Sequence, residues 1–323
     1  MRLSRRQFNA CLGASAALSL PGISLAQGKV LKVLVGYAPG GAADTVARAV
    51  GEGMRDAGFT VIVDNKAGAA GRLATEALLA QPADGATLLM TPLGNLTLYP
   101  HVYKSLRYDP LKDFAAVGTA SAMSFAVAVG ASSPARTLQD FLALARKDKA
   151  LAAYGTPGAG TAMHFLGQML AKDAKVPLTH VAYKGGSAAV TDAIGGTLPA
   201  VITTTPNLLT MHRAGKLRIL AISGPAPLPA LQGVPTFKEA GFPDLTVSET
   251  FAFFAKAGTP AAVVTQLNQA ITSAVKSAKV TELLQKAEYE PRTMAPDALD
   301  KLVRAEFAGW ARVVKDTGYT PEE

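Results

Sequence analysis

Short apolar runs alternate with amphipathic stretches along nearly the whole chain. Residues 30–36 read as a strand, 42–57 as a helix, 60–63 as a strand, 72–80 as a helix, and 87–90 as a strand after the Asp84-Gly85 turn. Alternation of this kind predicts βαβ units and parallel sheets. The rhythm breaks between 114 and 130, where two apolar runs, 115–119 and 125–129, have no helix between them and mark a candidate crossing point. A second block follows: helix 138–147, strand 151–154, helix 161–171, strand 178–182, helix 187–194, strand 200–204, helix 206–214 and strand 217–222. It reads as a complete second sheet. Beyond a Pro-rich stretch at 225–235, the apolar run 250–255 is placed to lead the chain back, and helices 261–276, 280–286 and 296–317 close it. The pattern predicts an α/β protein of two doubly wound lobes joined by at least two crossing strands, with residues 27–124 and 250–323 in one and 125–249 in the other.

Two predicted strands end in Gly/Pro-rich turns that open helices: Tyr37-Ala-Pro-Gly-Gly-Ala-Ala-Asp44 and Tyr154-Gly-Thr-Pro-Gly-Ala-Gly-Thr161. A helix N-terminus carries backbone donors without intrahelical partners and about half a positive charge, so each turn is a candidate anion cradle that needs no arginine. In doubly wound sheets ligands sit beyond the carboxyl ends of the strands, which is where both turns fall. Facing one another, they are expected to line an interlobe cleft that closes by hinge motion.

Side chains around the turns extend the candidate set. Tyr37, Tyr154 and Tyr183 end three predicted strands and suggest a partly aromatic, hydroxyl-bearing pocket, while Thr203 and Thr204 end another and offer hydroxyls. Asp44 has two readings, satisfying N–H groups at its helix start or orienting a ligand hydroxyl. His164, behind the second turn, is read first as a packing group and second as a ligand contact. Lys184 is the one cation in a candidate loop. With Thr91, the candidate ligand-binding set comprises Tyr37, Ala38, Pro39, Gly40, Gly41 and Asp44 from the first turn, and Tyr154, Gly155, Thr156, Gly158, Gly160, Thr161 and His164 from the second. Tyr183, Lys184, Thr203 and Thr204 complete it.

Other chemistries are poorly served. Neither turn has the G-x-G-x-x-G spacing of a dinucleotide site, and Thr161 stands where a phosphate-binding loop needs lysine. Gly185-Gly-Ser187-Ala-Ala189 has the placement of a nucleophile elbow, but Ala189 replaces its last glycine and the last histidine, His212, follows too closely. Ser187 is read as a helix N-cap, with a secreted α/β hydrolase using Ser187 as the competing enzyme reading. The four histidines show no metal-ligand spacing, so neither a metal nor a cofactor is expected.

Residues 1–26 have the form of an export signal: Arg2, Arg5 and Arg6, an uncharged stretch, then Ser24-Leu-Ala26. Ser4-Arg-Arg-Gln-Phe8 resembles a twin-arginine signal, although Asn9-Ala10 departs from the usual continuation, and a general secretory signal is the alternative. The single cysteine, Cys11, lies in this segment, which leaves no cysteine for a disulfide or thiolate metal site afterwards. Loss of the three arginines lowers the net charge from +8 to +5. The basic residues are scattered singly, so no nucleic-acid partner is expected.

Taken in order along the chain, several motifs resemble the Bug, or TctC-like, extracytoplasmic receptors of tripartite tricarboxylate transporters. They are Ala38-Pro-Gly-Gly-Ala-Ala-Asp44, Tyr99-Pro-His-Val-Tyr103, Tyr108-Asp-Pro-Leu-Lys-Asp-Phe114, the second turn through His164, Tyr183-Lys-Gly-Gly186, Val234-Pro-Thr236, Glu239-Ala-Gly241, Ala257-Gly-Thr-Pro260 and Trp310. The resemblance implies a type II, Venus-flytrap periplasmic binding protein that captures a small organic carboxylate without catalysis, through main-chain donors and ordered water of the two turns. It implies the membrane subunits of the transporter as partners, and we expect a monomer. A ligand-sensing partner of a sensor kinase is the other role such a cleft can serve. Relatives often carry an aspartate after the strand that here ends at Thr203-Thr204. Its loss argues against an amine-bearing ligand, and the lack of arginine in the candidate loops argues against citrate.

Overall fold

The computed structural model describes residues 29–183 and 185–321; the export-signal reading and Lys184 lie outside the described residues. The first block contains β1 (Lys29–Val35), α1 (Ala42–Gly53), β2 (Phe59–Asn65), α2 (Arg72–Leu79) and β3 (Thr87–Pro92), then two short helices, α3 (Gly94–Thr97) and α4 (Tyr99–Val102). β4 (Phe114–Gly130) leads into α5 (Leu138–Lys147), β5 (Ala153–Thr156), α6 (Ala162–Ala174), β6 (Thr179–Ala182), α7 (Gly186–Gly195), β7 (Ala200–Thr204), α8 (Thr205–Arg213) and β8 (Leu217–Ile222). The chain returns along β9 (Ser248–Lys256) to α9 (Ala261–Lys276), α10 (Ala278–Lys286), β10 (Glu290–Pro291) and α11 (Pro296–Thr317).

Local chemistry accounts for these elements. β1 buries Leu31, Val33 and Val35 on alternate positions, and α1 turns Val46, Ala47 and Val50 inward at helical spacing, so both press on one core. Thr137 and Asp140 form a reciprocal capping box at the start of α5, satisfying donors that a helix start leaves open.

The parallel pairs are confined to the flanks, β2–β1–β3 in the first half and β6–β5–β7 in the second. The middle is antiparallel, and the two expected sheets are continuous through β4. From Phe114 to Ser124 this strand pairs with β9, and from Phe125 to Gly130 it pairs with β7 and β8. The two apolar runs at 115–119 and 125–129 are thus parts of one 17-residue strand. β4 carries the chain from one half to the other and β9 carries it back, which makes the pair antiparallel.

Separate apolar cores flank the crossing. One gathers β1, α1, β3 and α9; another gathers α5, α6 and the second half of β4. α11 bridges the second of these and a third, smaller one, with Leu299 and Val303 beside Leu93 and Phe254, and Trp310 and Val314 packed on the core around Phe165. No helix among the described residues is long and apolar enough to cross a membrane.

Candidate functional site

A cavity of about 450 Å³ lies where the two halves meet. Tyr37, Ala38 and Gly41 reach it from the first turn, and Thr161 from the second. Ala42 and Ala43, the first residues of α1, also line it, as do Ala162 and Met163, the first of α6. An α-helix supplies no internal acceptor for its first N–H groups. Two helix N-termini from different halves therefore present backbone donors and positive dipole ends to one space. A second cavity of the same volume, walled by Leu209, Leu231, Tyr289 and Pro291, meets neither turn.

The turns are held by their own side chains. Asp44, 2 % exposed, accepts the Gly40 N–H (2.8 Å), the Asn65 amide (2.9 Å) and the Arg48 guanidinium (2.9 Å). Burial alone pushes its pKa up, but Arg48 and the two N–H donors outweigh that and hold it below the usual value. Of its two sequence readings, the contacts are those of a turn clamp. Gly40 directs its N–H at Asp44, and Pro39 lies off the cavity wall. In the second turn the Thr161 hydroxyl accepts the His164 N–H (3.3 Å), while His164 Nδ1 accepts from Gly160 (3.2 Å). Thr156 Oγ1 donates to the Gly158 carbonyl (2.9 Å) and lies 2.7 Å from His180 Nε2. His164 and His180 stack at 3.8 Å, and burial, with His164 beside it, lowers the His180 pKa to about 4. These groups form a layer behind the turn.

Several candidates stand away from the wall. The expected three-tyrosine pocket does not form: only Tyr37 lines the cavity, whereas Tyr154 donates to the His164 carbonyl (2.9 Å) within a core and Tyr183 donates to Asp192 (2.8 Å). Gly155 faces Leu198 and the Tyr183 ring, and Thr91 is buried in β3. Thr203 is buried and accepts from Asn207 (3.2 Å), so of this pair it is Thr204 that lines the wall. Ser187 is not an N-cap: α7 starts at Gly186 with Gly185 as its cap, because the glycine pair already makes the turn.

The rest of the wall was not legible in the motifs. Pro92, Leu98, Met123, Phe125 and Phe251 make it largely apolar, and no lysine, arginine or histidine lines it among the described residues. Asn95 accepts the Tyr37 hydroxyl (3.0 Å), and Tyr99 is also on the wall; burial raises the pKa of both tyrosines, keeping them protonated. Glu249, at the start of β9, is the one acid on the wall among the described residues. Its carboxylate accepts the Gly94 N–H (3.2 Å). It lines the cavity half-buried, and desolvation raises its pKa to about 7 against the backbone donors that lower it. Glu306 on α11, hydrogen-bonded by Thr97 (3.3 Å), is raised to about 8 by burial and then by Glu249. The acid missing near Thr203 therefore does not leave the cavity without one.

These shifts predict a stability profile. From their ordinary value of 4.5 up to about 7 and 8, Glu249 and Glu306 bind protons more tightly folded than unfolded, so their effect on stability falls as pH rises. His180 acts oppositely, its contribution being lost as pH falls from 6.5 towards 4. Between pH 6.5 and 8 the carboxylates dominate, and the unfolding free energy of the unliganded protein, measured by urea titration, should decline there by up to about 1.4 kcal/mol per pH unit for each group. Glu306→Gln should flatten that decline; an unchanged slope would mean that Glu306 ionises as it does in water.

Among solved proteins, periplasmic binding protein BugD has 26% identity, covers 91% of this chain and 99% of its own, and superposes with a TM-score of 0.77. Rpa4515 of R. palustris, solved with adipate, has 28% identity, 90% and 98% coverage, and a TM-score of 0.80. MatC of Rhodopseudomonas palustris, with bound malate, has 28% identity, 88% and 98% coverage, and a TM-score of 0.75. The family and these neighbours are solute-binding receptors, not enzymes, which removes the hydrolase reading of Ser187. Residues 46–319 match the tripartite tricarboxylate transporter family receptor, and the chain belongs to that family.

Proposed function

We propose that this protein is a periplasmic receptor that captures a small organic carboxylate and delivers it to the membrane subunits of a tripartite tricarboxylate transporter. The observation that carries this reading is the convergence of the α1 and α6 N-termini on one cavity whose described wall holds no cation. Backbone donors of Ala42, Ala43, Ala162 and Met163 take the carboxylate, with Ala38, Gly41 and Thr161 beside them and Tyr37 and Thr204 on the flanks. Pro39, Gly40, Asp44, Gly158, Gly160 and His164 act by shaping the turns.

Residues 27–124 with 250–323, and 125–249, serve as two lobes that close on the ligand as a monomer. β4 changes partners between Ser124 and Phe125, which supports a hinge there, and α11 is a strap across both lobes. The apolar wall favours an aliphatic or aromatic acid over citrate, since three negative charges have no matching side chain.

A thermal-shift screen of mono-, di- and aromatic carboxylates tests the reading. A true ligand at 100 times its Kd should add about 2.7 kcal/mol of stability. Shifts produced by sugars or simple amines, with none from any carboxylate, would overturn it.

A further inference from the structure

Glu249 is a carboxylate on the wall of a cavity that, on the reading above, takes an anion. Its backbone contact with Gly94 satisfies it in part, yet it forms no ion pair among the described residues. Glu306 lies behind it on α11, and Tyr37 and Tyr99, both protonated, stand near it. Nothing described on this wall neutralises a second negative charge on a ligand. In a poorly hydrated space, two like charges a few ångströms apart repel strongly. Above the value of about 7 to which burial raises Glu249, a hydroxyl or ammonium group on the ligand does the reverse, because an ionised carboxylate only accepts hydrogen bonds and makes its strongest ones to charged donors.

We propose that Glu249 is a specificity-determining residue, selecting carboxylates whose second polar group is a hydrogen-bond donor and rejecting dicarboxylate dianions. This rests on the carboxylate-receptor reading and deepens it. The helix N-termini fix one end of the ligand by its charge, and Glu249 chooses what the remainder carries. The neighbours solved with adipate and malate then differ from this chain in ligand class while sharing its fold.

The test is calorimetric titration at pH 8 with straight-chain acids of four, five and six carbons, each bearing a terminal methyl, hydroxyl, ammonium or carboxylate group. In the unaltered protein, the best hydroxyl or ammonium acid should bind at least tenfold tighter than the methyl and dicarboxylate acids of its length. Glu249→Gln keeps the shape and the acceptor for Gly94. In that variant the ammonium acid should lose at least tenfold in affinity and the dicarboxylate should gain. A dicarboxylate that binds the unaltered protein tightest, or a ranking unchanged in Glu249→Gln, would overturn the assignment while leaving the receptor reading in place. Failure of every one of these acids to bind would overturn the assignment, and failure of the aromatic acids as well would overturn the receptor reading. The ranking in the unaltered protein is informative by itself, so the test does not depend on the variant folding.

Discussion

Gly160→Val should lower carboxylate affinity at least a hundredfold while the protein still unfolds cooperatively. Gly160 sits at φ +68°, a conformation that costs an L-residue about 1–2 kcal/mol, and more when the side chain is β-branched. A Cβ there would stand 3.1 Å from the Tyr319 hydroxyl and 3.6 Å from Val102. Relief requires the peptide to rotate. That movement breaks the Gly160 N–H bond to His164 Nδ1 and swings Thr161, the cap of α6, away from its place. The N–H groups of Ala162 and Met163 then no longer point at the cavity. Calorimetry with the best acid from the screen measures the loss, and a melting curve checks the fold. Undiminished affinity would remove the second turn from the site.

Gly36→Ala should harm both stability and binding. An added Cβ would overlap the Gly71 Cα and lie 2.6 Å from its carbonyl oxygen, backbone atoms that cannot swing aside as a flexible side chain does. Overpacking of this kind costs about 1–3 kcal/mol. The adjustment also reaches the ligand cavity, because Gly71 abuts Asn95 and Tyr37, and Tyr37 is held to Asn95. We expect a lower urea midpoint together with at least a tenfold loss of affinity. A variant as stable as the unaltered protein would show that β1 and the 68–71 segment yield more easily than their contact implies.

Much of this arrangement was legible beforehand because it rests on local chemistry. The β1–α1 and β5–α6 units announce themselves through apolar runs, glycine turns and helical spacing, and both turns do end at one cavity. β4 was harder. Its middle, Ala120 to Ser124, is mostly small and partly polar, with Met123 its one large side chain, so it reads as a gap between two strands. Those positions are buried because the strand passes through the interior between the halves, a fact that no local pattern encodes. The tyrosines failed for a related reason: residues at strand ends share an edge, but their direction depends on the packing around them. Tyr154 turns into the core beneath α6, against Gly167, where a Cβ would collide with its ring. Glu249 gave no signal at all. One acid before an apolar run is an ordinary strand start, and only the antiparallel return of β9 beside β3 carries it to the cavity.

The central claim is that two helix N-termini grip one carboxylate from opposite lobes. Backbone amide NMR tests it most directly. On titration with a bound acid, the 15N–1H resonances of Ala42, Ala43, Ala162 and Met163 should move together along a single binding isotherm, and the methyl ester of that acid should leave them in place. Movement at only one of the two helix starts, or equal binding of the ester, would contradict the claim.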